Sequence, residues 1–209
     1  HTHFETIDPV VSGLVALCPP CELGTARYGS AFEALARSIA SQQLSTVVAR
    51  KIIERLVALH GGQFPTPRQL ADATPEALRG VGFSFAKIAA LKDLAAHALD
   101  GRLPPDDELA QLDDEAIIEE LVAIRGIGRR TAEMFLIFHL MRPNVLPLDD
   151  LGLLKAVSLA YFDGATMKGR EQRERRRDQV PGPHAGHEPR VERRLAQLLD
   201  ERRQPHALR

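Results

Sequence analysis

The stretch Leu121–Lys155, LVAIRGIGRRTAEMFLIFHLMRPNVLPLDDLGLLK, restricts the fold more than any other part of this 209-residue chain. An apolar helical end (Leu121, Val122, Ile124) meets Arg125-Gly126-Ile127-Gly128, and a second helix restarts from Arg129 to about His139. Gly126 and Gly128 lack a Cβ and can take positive φ, so the chain can reverse within a few residues and its backbone can lie against a partner. The restarted helix offers unpaired N–H groups and the positive end of its dipole, which makes the hairpin an anion site. With Arg125, Arg129 and Arg130 around it, the anion expected is a phosphate. A polymer phosphate fits better than a nucleotide, because a nucleotide cradle wants a strand before the glycines and Leu121–Ile124 reads as helix. Taken alone, the glycines are also compatible with an ordinary αα-turn.

The hairpin is followed by acids. Pro143 and Pro147 fix an extended connector, and Asp149 and Asp150 then stand where a helix would start ahead of Leu151, Leu153, Leu154 and Val157. One aspartate can cap that helix by accepting backbone N–H bonds. Capping needs only one of the pair, which leaves the other available to face the groove beside the hairpin.

The rest of the chain reads as helices. Asp8 caps a first helix with Pro9 at its first position; Ala31 to Ala40 forms a second with Phe32, Leu35, Ile39 and Ala40 on one face. Ser41-Gln42-Gln43-Leu44-Ser45 makes a polar turn, and Ser45 caps a third helix with Val47, Val48, Ile52, Leu56 and Leu59 expected inward, stopped by Gly61-Gly62. Pro65-Thr66-Pro67 reads as a turn, Leu70–Ala73 as a short helix, and Thr74-Pro75-Glu76 as a helix start. A long helix runs from Ser84 to about Leu99, residues 103–107 are a loop, and Asp114 to Ala123 is the first helix of the hairpin. LRGVGFSFAKIAAL laid over IRGIGRRTAEMFLI aligns Gly80 with Gly126 and Gly82 with Gly128, an internal echo 46 residues apart. The first copy lacks the arginines and the acid loop, so it reads as a structural hairpin with Lys87 near the backbone.

Charge excludes a protein that coats nucleic acid through bulk electrostatics, since the formal net charge is −1. Its distribution is uneven: residues 1–164 carry 15 Lys/Arg against 21 Asp/Glu, and residues 165–209 carry 12 against 7. A compact protein with a local basic groove is compatible with that. Nothing approaches the ~18 apolar residues of a membrane span, and the N-terminus lacks a signal-peptide layout, so the expected address is the cytoplasm, at the nucleoid. Cys18 and Cys21 lack the further ligands of a zinc site and the strand–helix context of a redox pair, and two cysteines are too few for a four-thiolate iron–sulfur cluster. They read as two unremarkable thiols.

Helix, Gly-hydrophobic-Gly hairpin, helix, Pro-containing loop and Asp together resemble the helix-hairpin-helix base-excision DNA glycosylases, and GIGRRTAEMFLIFHLMRPNVLPLDDLG looks most like their alkylpurine branch, the 3-methyladenine DNA glycosylase II type. The resemblance spans roughly residues 7 to 168, Ser41–Ser45 included. It implies an all-α, two-lobed fold with a DNA-binding cleft between the lobes. The glycosylase domain is expected over 1–168, with the hairpin at 121–139 and the catalytic loop at 143–150. Residues 169–209 form an atypical tail, with an Arg-rich run (Arg173–Arg177), a Pro/Gly/His stretch read as a disordered linker, and a weak helix.

The resemblance also assigns roles. Asp150, the second acid of the pair, is the catalytic residue and Asp149 the helix cap. Arg125, Gly126, Ile127, Gly128, Arg129 and Thr131 form the DNA-binding hairpin. Gln42, Gln43 and Leu44 lie where the duplex is probed, Gln43 being the preferred wedge, while Arg130, Met134 and Phe32 are base-pocket candidates. Relatives that also cut the strand carry a lysine at position 130, so Arg130 implies a monofunctional enzyme. Relatives end in helices that bring Trp and Tyr to the base; this chain has no Trp, and Tyr28, Phe32, Phe85, Phe135 and Phe138 are left as stacking candidates. No cofactor is required, although hairpin carbonyls in this family can hold a monovalent cation. The expected partner is double-stranded DNA with alkylated bases, bound by a monomer without membrane involvement. The alternative is a non-catalytic or catalytically impaired helix-hairpin-helix DNA-binding protein.

Overall fold

The computed structural model describes residues 8–18, 28–162 and 164; every element among them is helical. The expected tail of 169–209, and Cys21, lie outside the described residues. Contacts divide the chain into two compact units, one of 23–147 and one made of 1–22 with 148–209.

Among the described residues the first unit holds eight helices: α2 (Ala31–Ser41), α3 (Thr46–Leu59), α4 (Pro67–Asp72), α5 (Pro75–Val81), α6 (Phe85–Leu99), α7 (Asp106–Leu109), α8 (Asp114–Val122) and α9 (Arg129–Phe138). α1 (Pro9–Leu17) and α10 (Leu151–Tyr161) belong to the second. Local chemistry sets most starts. Ser30, Ser45, Thr66, Thr74 and Ser84 each accept a backbone N–H three residues on, and Thr66 with Gln69 completes a capping box. That box starts α4 at Pro67, so the segment read as a turn at 65–67 already opens a helix. The end of the segment read as a loop at 103–107 opens one helical turn, Asp106–Leu109.

α6 is the axis of this unit, packed against α2, α4 and α5, while α9 packs against α8 and α2. Leu35, Ile39, Leu56, Leu70, Leu78, Phe83, Leu91, Leu94, Leu109, Ile117, Leu121 and Ile124 are fully enclosed in one core. On α3 the inward stripe is Ala49, Ile52, Ile53 and Leu56. Val47, Val48 and Leu59, expected inward, are exposed, because that stripe already fills one face at helical spacing, Val48 and Leu59 flanking it and Val47 lying on the opposite side.

Half-buried cations replace missing helix partners. Lys92 Nζ donates to Ala71 O (2.7 Å) and Ala73 O (2.6 Å), closing the end of α4. Arg142 Nη2 donates to the carbonyls of Leu109, Ala110 and Leu112, pinning the α7–α8 connection.

In the second unit Asp8 is the N-cap of α1, as its sequence implies: Oδ1 accepts from Val10 N (2.9 Å) and Val11 N (3.1 Å). Its Oδ2 accepts the Tyr161 hydroxyl at 2.6 Å, tying α1 to α10. Burial, followed by that bond and the carboxylate charge, pushes the Tyr161 phenol above its ordinary range. Tyr161→Phe is expected to cost ~1 to 2 kcal/mol in chemical denaturation; no change would mean that the bond contributes nothing net.

Candidate active site and nucleic-acid interface

α8 ends at Val122, and Ile124 N bonds Leu121 O while Ile127 N bonds Ile124 O, both at 3.1 Å, so the chain turns within five residues. Ile127 plugs the core beneath the turn. Gly126 takes φ +80°, and a Cβ there would lie 2.9 Å from Ala90 Cβ on α6, so both conformation and space demand glycine. Gly128 differs from expectation. It is extended (φ −96°, ψ 169°) and a Cβ on it would meet nothing within the protein. As N-cap of α9 it has no side chain to give, so the helix begins without a side-chain cap.

The echo at the first hairpin keeps the same geometry in a different register. Gly82 (φ +118°) precedes Phe83 and the cap Ser84, as Gly126 precedes Ile127 and the cap Gly128. Backbone conformation thus pairs positions 44 apart, not the 46 of the text alignment. Lys87 sits where the first copy was expected to use it: its ammonium donates to Ala40 O (2.7 Å) and Gln42 O (2.8 Å), and burial lowers its pKa.

Of the arginines around the second hairpin, Arg125 and Arg130 are exposed. Arg129 turns inward. Its guanidinium pairs with both oxygens of Glu115, and its Nε donates to Glu133 Oε1 at 3.0 Å. The hydrogen bond to Glu115 and the charges of both carboxylates raise its pKa further, so its charge is permanent. An arginine neutralised by two carboxylates is an intramolecular strut joining α8 to α9, which corrects its reading as a phosphate-directed side chain. Thr131 is half-buried beside it.

Turn 41–45 lies against this hairpin. Gln42 Nε2 donates to Gly126 O at 2.8 Å, while Gln43 occupies the left-handed region (φ +58°) and is exposed, as is Leu44. A non-glycine residue at positive φ stores on the order of 1 kcal/mol of strain, which native turns tolerate where a side chain must be presented. Met134 is half-buried. Phe32 is in the core at 7% exposure, a correction to its place among pocket candidates: it lies on the α2 stripe that packs the unit. Phe135 is likewise buried, stacked on His139 at 4.8 Å. Phe85 and Phe138 are exposed, and Tyr28 is partly so, the Arg79 and Arg37 guanidiniums lying over the Phe85 and Tyr28 rings.

Sequence reasoning missed Ala90, Asp93 and Glu115. Asp93 Oδ2 accepts Arg125 N at 2.8 Å. The available signal was weak: Lys87, Ala90 and Asp93 fall three apart on α6, one helix face carrying two charges and one small residue.

In the other unit, the cap of α10 is Asp150, whose Oδ1 accepts Leu153 N at 2.9 Å. The capping role expected of Asp149 therefore falls on its neighbour, because α10 starts at Leu151 and only Asp150 has the cap geometry; Asp149 is exposed. A carboxylate that accepts one N–H retains further lone pairs, so capping orients Asp150 without exhausting it. Gly152 backs it closely: a Cβ there would lie 3.1 Å from Asp150 Oδ1.

The profile of the HhH-GPD superfamily base excision DNA repair proteins matches residues 36–181. The chain is 44% identical over 123 residues to DNA-3-methyladenine glycosylase 1 of Schizosaccharomyces pombe, covering 58% of this chain and 54% of that relative, and so spans about half of the relative's length. An alkylbase DNA glycosidase-like protein of the same yeast is 33% identical over 77% of this chain and 76% of its own. Among solved structures, the S. pombe 3-methyladenine DNA glycosylase in complex with abasic DNA superposes with TM-score 0.67 at 37% identity, covering 75% of this chain and 77% of that one. A DNA-3-methyladenine glycosidase from Bacillus halodurans superposes with TM-score 0.66 at 33% identity over 84% of both chains. With a profile match over most of its length and the helix-hairpin-helix in place, the chain belongs to the HhH-GPD superfamily of base excision DNA repair proteins.

Proposed function

We propose that the protein is a monofunctional DNA glycosylase, acting as a monomer, that hydrolyses the N-glycosidic bond of alkylated purines of the 3-methyladenine and 7-methylguanine type in duplex DNA. One observation carries the reading: in a chain of this superfamily, the acid that follows the hairpin, Asp150, is held in a fixed orientation by its bond to Leu153 N. The hairpin supports it with an N-terminal helix end that no side chain caps and with the exposed Arg125 and Arg130.

The chemistry asks little of the protein. An N-alkylated purine is cationic, so when the C1′–N bond breaks, the electron pair departs with a base that becomes neutral. The sugar is left as an oxocarbenium ion, and water adds at C1′ and loses a proton. The Asp150 carboxylate would stabilise the cation and accept that proton. The target base must first leave the stack, with Gln43 or Leu44 filling the space. No step uses a metal. Should a monovalent cation bind the hairpin carbonyls, it would share that of Gly126 with Gln42 and that of Ile124 with Ile127 N–H.

Arg130 stands where strand-cutting relatives carry lysine, and a guanidinium cannot serve as a Schiff-base nucleophile. Base release from methylated duplex DNA tests the reading directly, and no release by the parent protein would refute it. Borohydride trapping tests the monofunctional part: a strong covalent adduct with Arg130 intact would overturn it. The rival reading, a helix-hairpin-helix protein that binds DNA without cutting, would need Asp150 only as the cap of α10, and base release by the parent protein separates the two.

Gly152 supplies a separate check. Gly152→Ala places a methyl group against Asp150 Oδ1 and displaces the carboxylate by a few tenths of an ångström. Alanine at this helix position should raise helix stability by up to ~1 kcal/mol. The expected result is a several-fold loss of base release in a protein at least as stable as the parent; full activity would show that the placement of Asp150 is not critical.

A further inference from the structure

Consecutive turns of α6 seat two separate parts of the first unit. Lys87 directs its ammonium to Ala40 O and Gln42 O, at the end of α2 and in turn 41–45. Ala90, one turn on, is the floor that Gly126 presses against. Asp93, a further turn on, accepts the N–H of Arg125. Turn 41–45 and the hairpin are therefore mounted side by side on one helix, and the Gln42 amide joins them directly through Gly126 O at 2.8 Å.

This separates Gln42 from its neighbours. Gln42 is half-buried and its amide is engaged by the hairpin, whereas Gln43 stands at the apex of the turn, exposed and at positive φ, with Leu44 exposed beside it. If the hairpin holds a backbone phosphate and the turn enters the duplex, the spacing between them decides which nucleotide the turn meets. A small slip of the turn would leave the grip intact and send the probe to the wrong place.

We propose that Gln42 and Lys87 are positioning residues that hold the duplex-probing turn in register with the phosphate-gripping hairpin, and so serve base extrusion rather than duplex binding. The inference rests on the glycosylase reading for what the turn probes. Neither residue touches the reacting atoms; both act through the backbone of turn 41–45.

The test compares the parent with Gln42→Met, Lys87→Met, Lys87→Arg and the double methionine variant, on a duplex carrying one 7-methylguanine beside 2-aminopurine. Fluorescence reports extrusion, single-turnover release reports excision, and titration of undamaged duplex reports the grip. Gln42→Met and Lys87→Met are each expected to lower extrusion amplitude and single-turnover release about tenfold, with undamaged-duplex affinity within about twofold. Lys87→Arg, which keeps donors for both carbonyls, should recover most of the loss. The double variant should lose little more than either single one, because both hold the same turn. Should Lys87→Met fail to fold, Gln42→Met at its half-buried site and Lys87→Arg keep the comparison. Loss in Gln42→Met with none in Lys87→Met would make Gln42 itself the wedge and overturn the proposal. Equal loss of undamaged-duplex affinity would place the contact in the grip, and unchanged extrusion would make it scaffold only; either overturns it too. A parent that extrudes but never releases the base counts against the glycosylase reading alone, since the extrusion arm still tests the register.

Discussion

Asp150→Asn is expected to lower base release from methylated duplex by about a thousandfold or more while leaving duplex affinity equal or slightly tighter. The substitution is clean for a structural reason. Asparagine caps a helix as well as aspartate does, so the bond from Leu153 N to the side-chain oxygen survives, and the thermal midpoint should move little. What is lost is the negative charge and the proton acceptor. Asp150→Ala, by contrast, would remove the cap as well and add ~1 kcal/mol of destabilisation, confusing chemistry with folding. Asp149→Asn, at an exposed position that does not cap α10, is expected to keep activity within a few-fold. The assignment of Asp150 fails if the Asp149 variant is the inactive one, or if both variants keep activity.

That pair also shows where sequence reading stops. Two adjacent aspartates before an apolar run both satisfy the pattern of a cap, and one residue of register decides between them. Where a signal is local, the sequence sufficed: Asp8 and Ser45 as caps, the positive φ of Gly126 and the helical run of α9 all rest on neighbours within four residues. The contacts that build the candidate interface are not local. Gln42 meets Gly126 from 84 residues away, Asp93 meets Arg125 from 32, and Arg129 meets Glu115 from 14. Periodicity describes the face of one helix and is silent on which face of another it meets. Hence Arg129, read by its type as a phosphate ligand, proves to be a strut. The echo at Gly82 was mis-registered for a related reason: matching letters aligned the Gly-x-Gly pairs, whereas the chain aligns the residues at positive φ.

Gly126→Ala is expected to destabilise the first unit by roughly 2 to 5 kcal/mol, a large part of the 5 to 15 kcal/mol typical of a domain. Two costs add. An L-residue held at φ +80° carries about 1 to 2 kcal/mol of conformational strain. The new methyl group would lie 2.9 Å from Ala90 Cβ, where neither side can yield by rotating a side chain, so α6 and the turn must separate at an overpacking cost of about 1 to 3 kcal/mol. The same separation would stretch the bonds from Gln42 to Gly126 O and from Arg125 N to Asp93. Loss of DNA binding in this variant would therefore report damage to the fold first. Gly128→Ala is the informative partner: its φ suits any residue, and a Cβ there meets nothing in the protein. The expected result is a thermal midpoint within a few degrees of the parent but weaker affinity for every duplex, damaged or not, because the added methyl group stands at the uncapped start of α9 where a phosphate would approach. Chemical denaturation and titration of an undamaged duplex, run on both variants, separate the two glycines. If Gly128→Ala binds duplex as the parent does, the start of α9 is not where the backbone is held. If Gly126→Ala is as stable as the parent, the close approach to Ala90 is not a constraint on the fold.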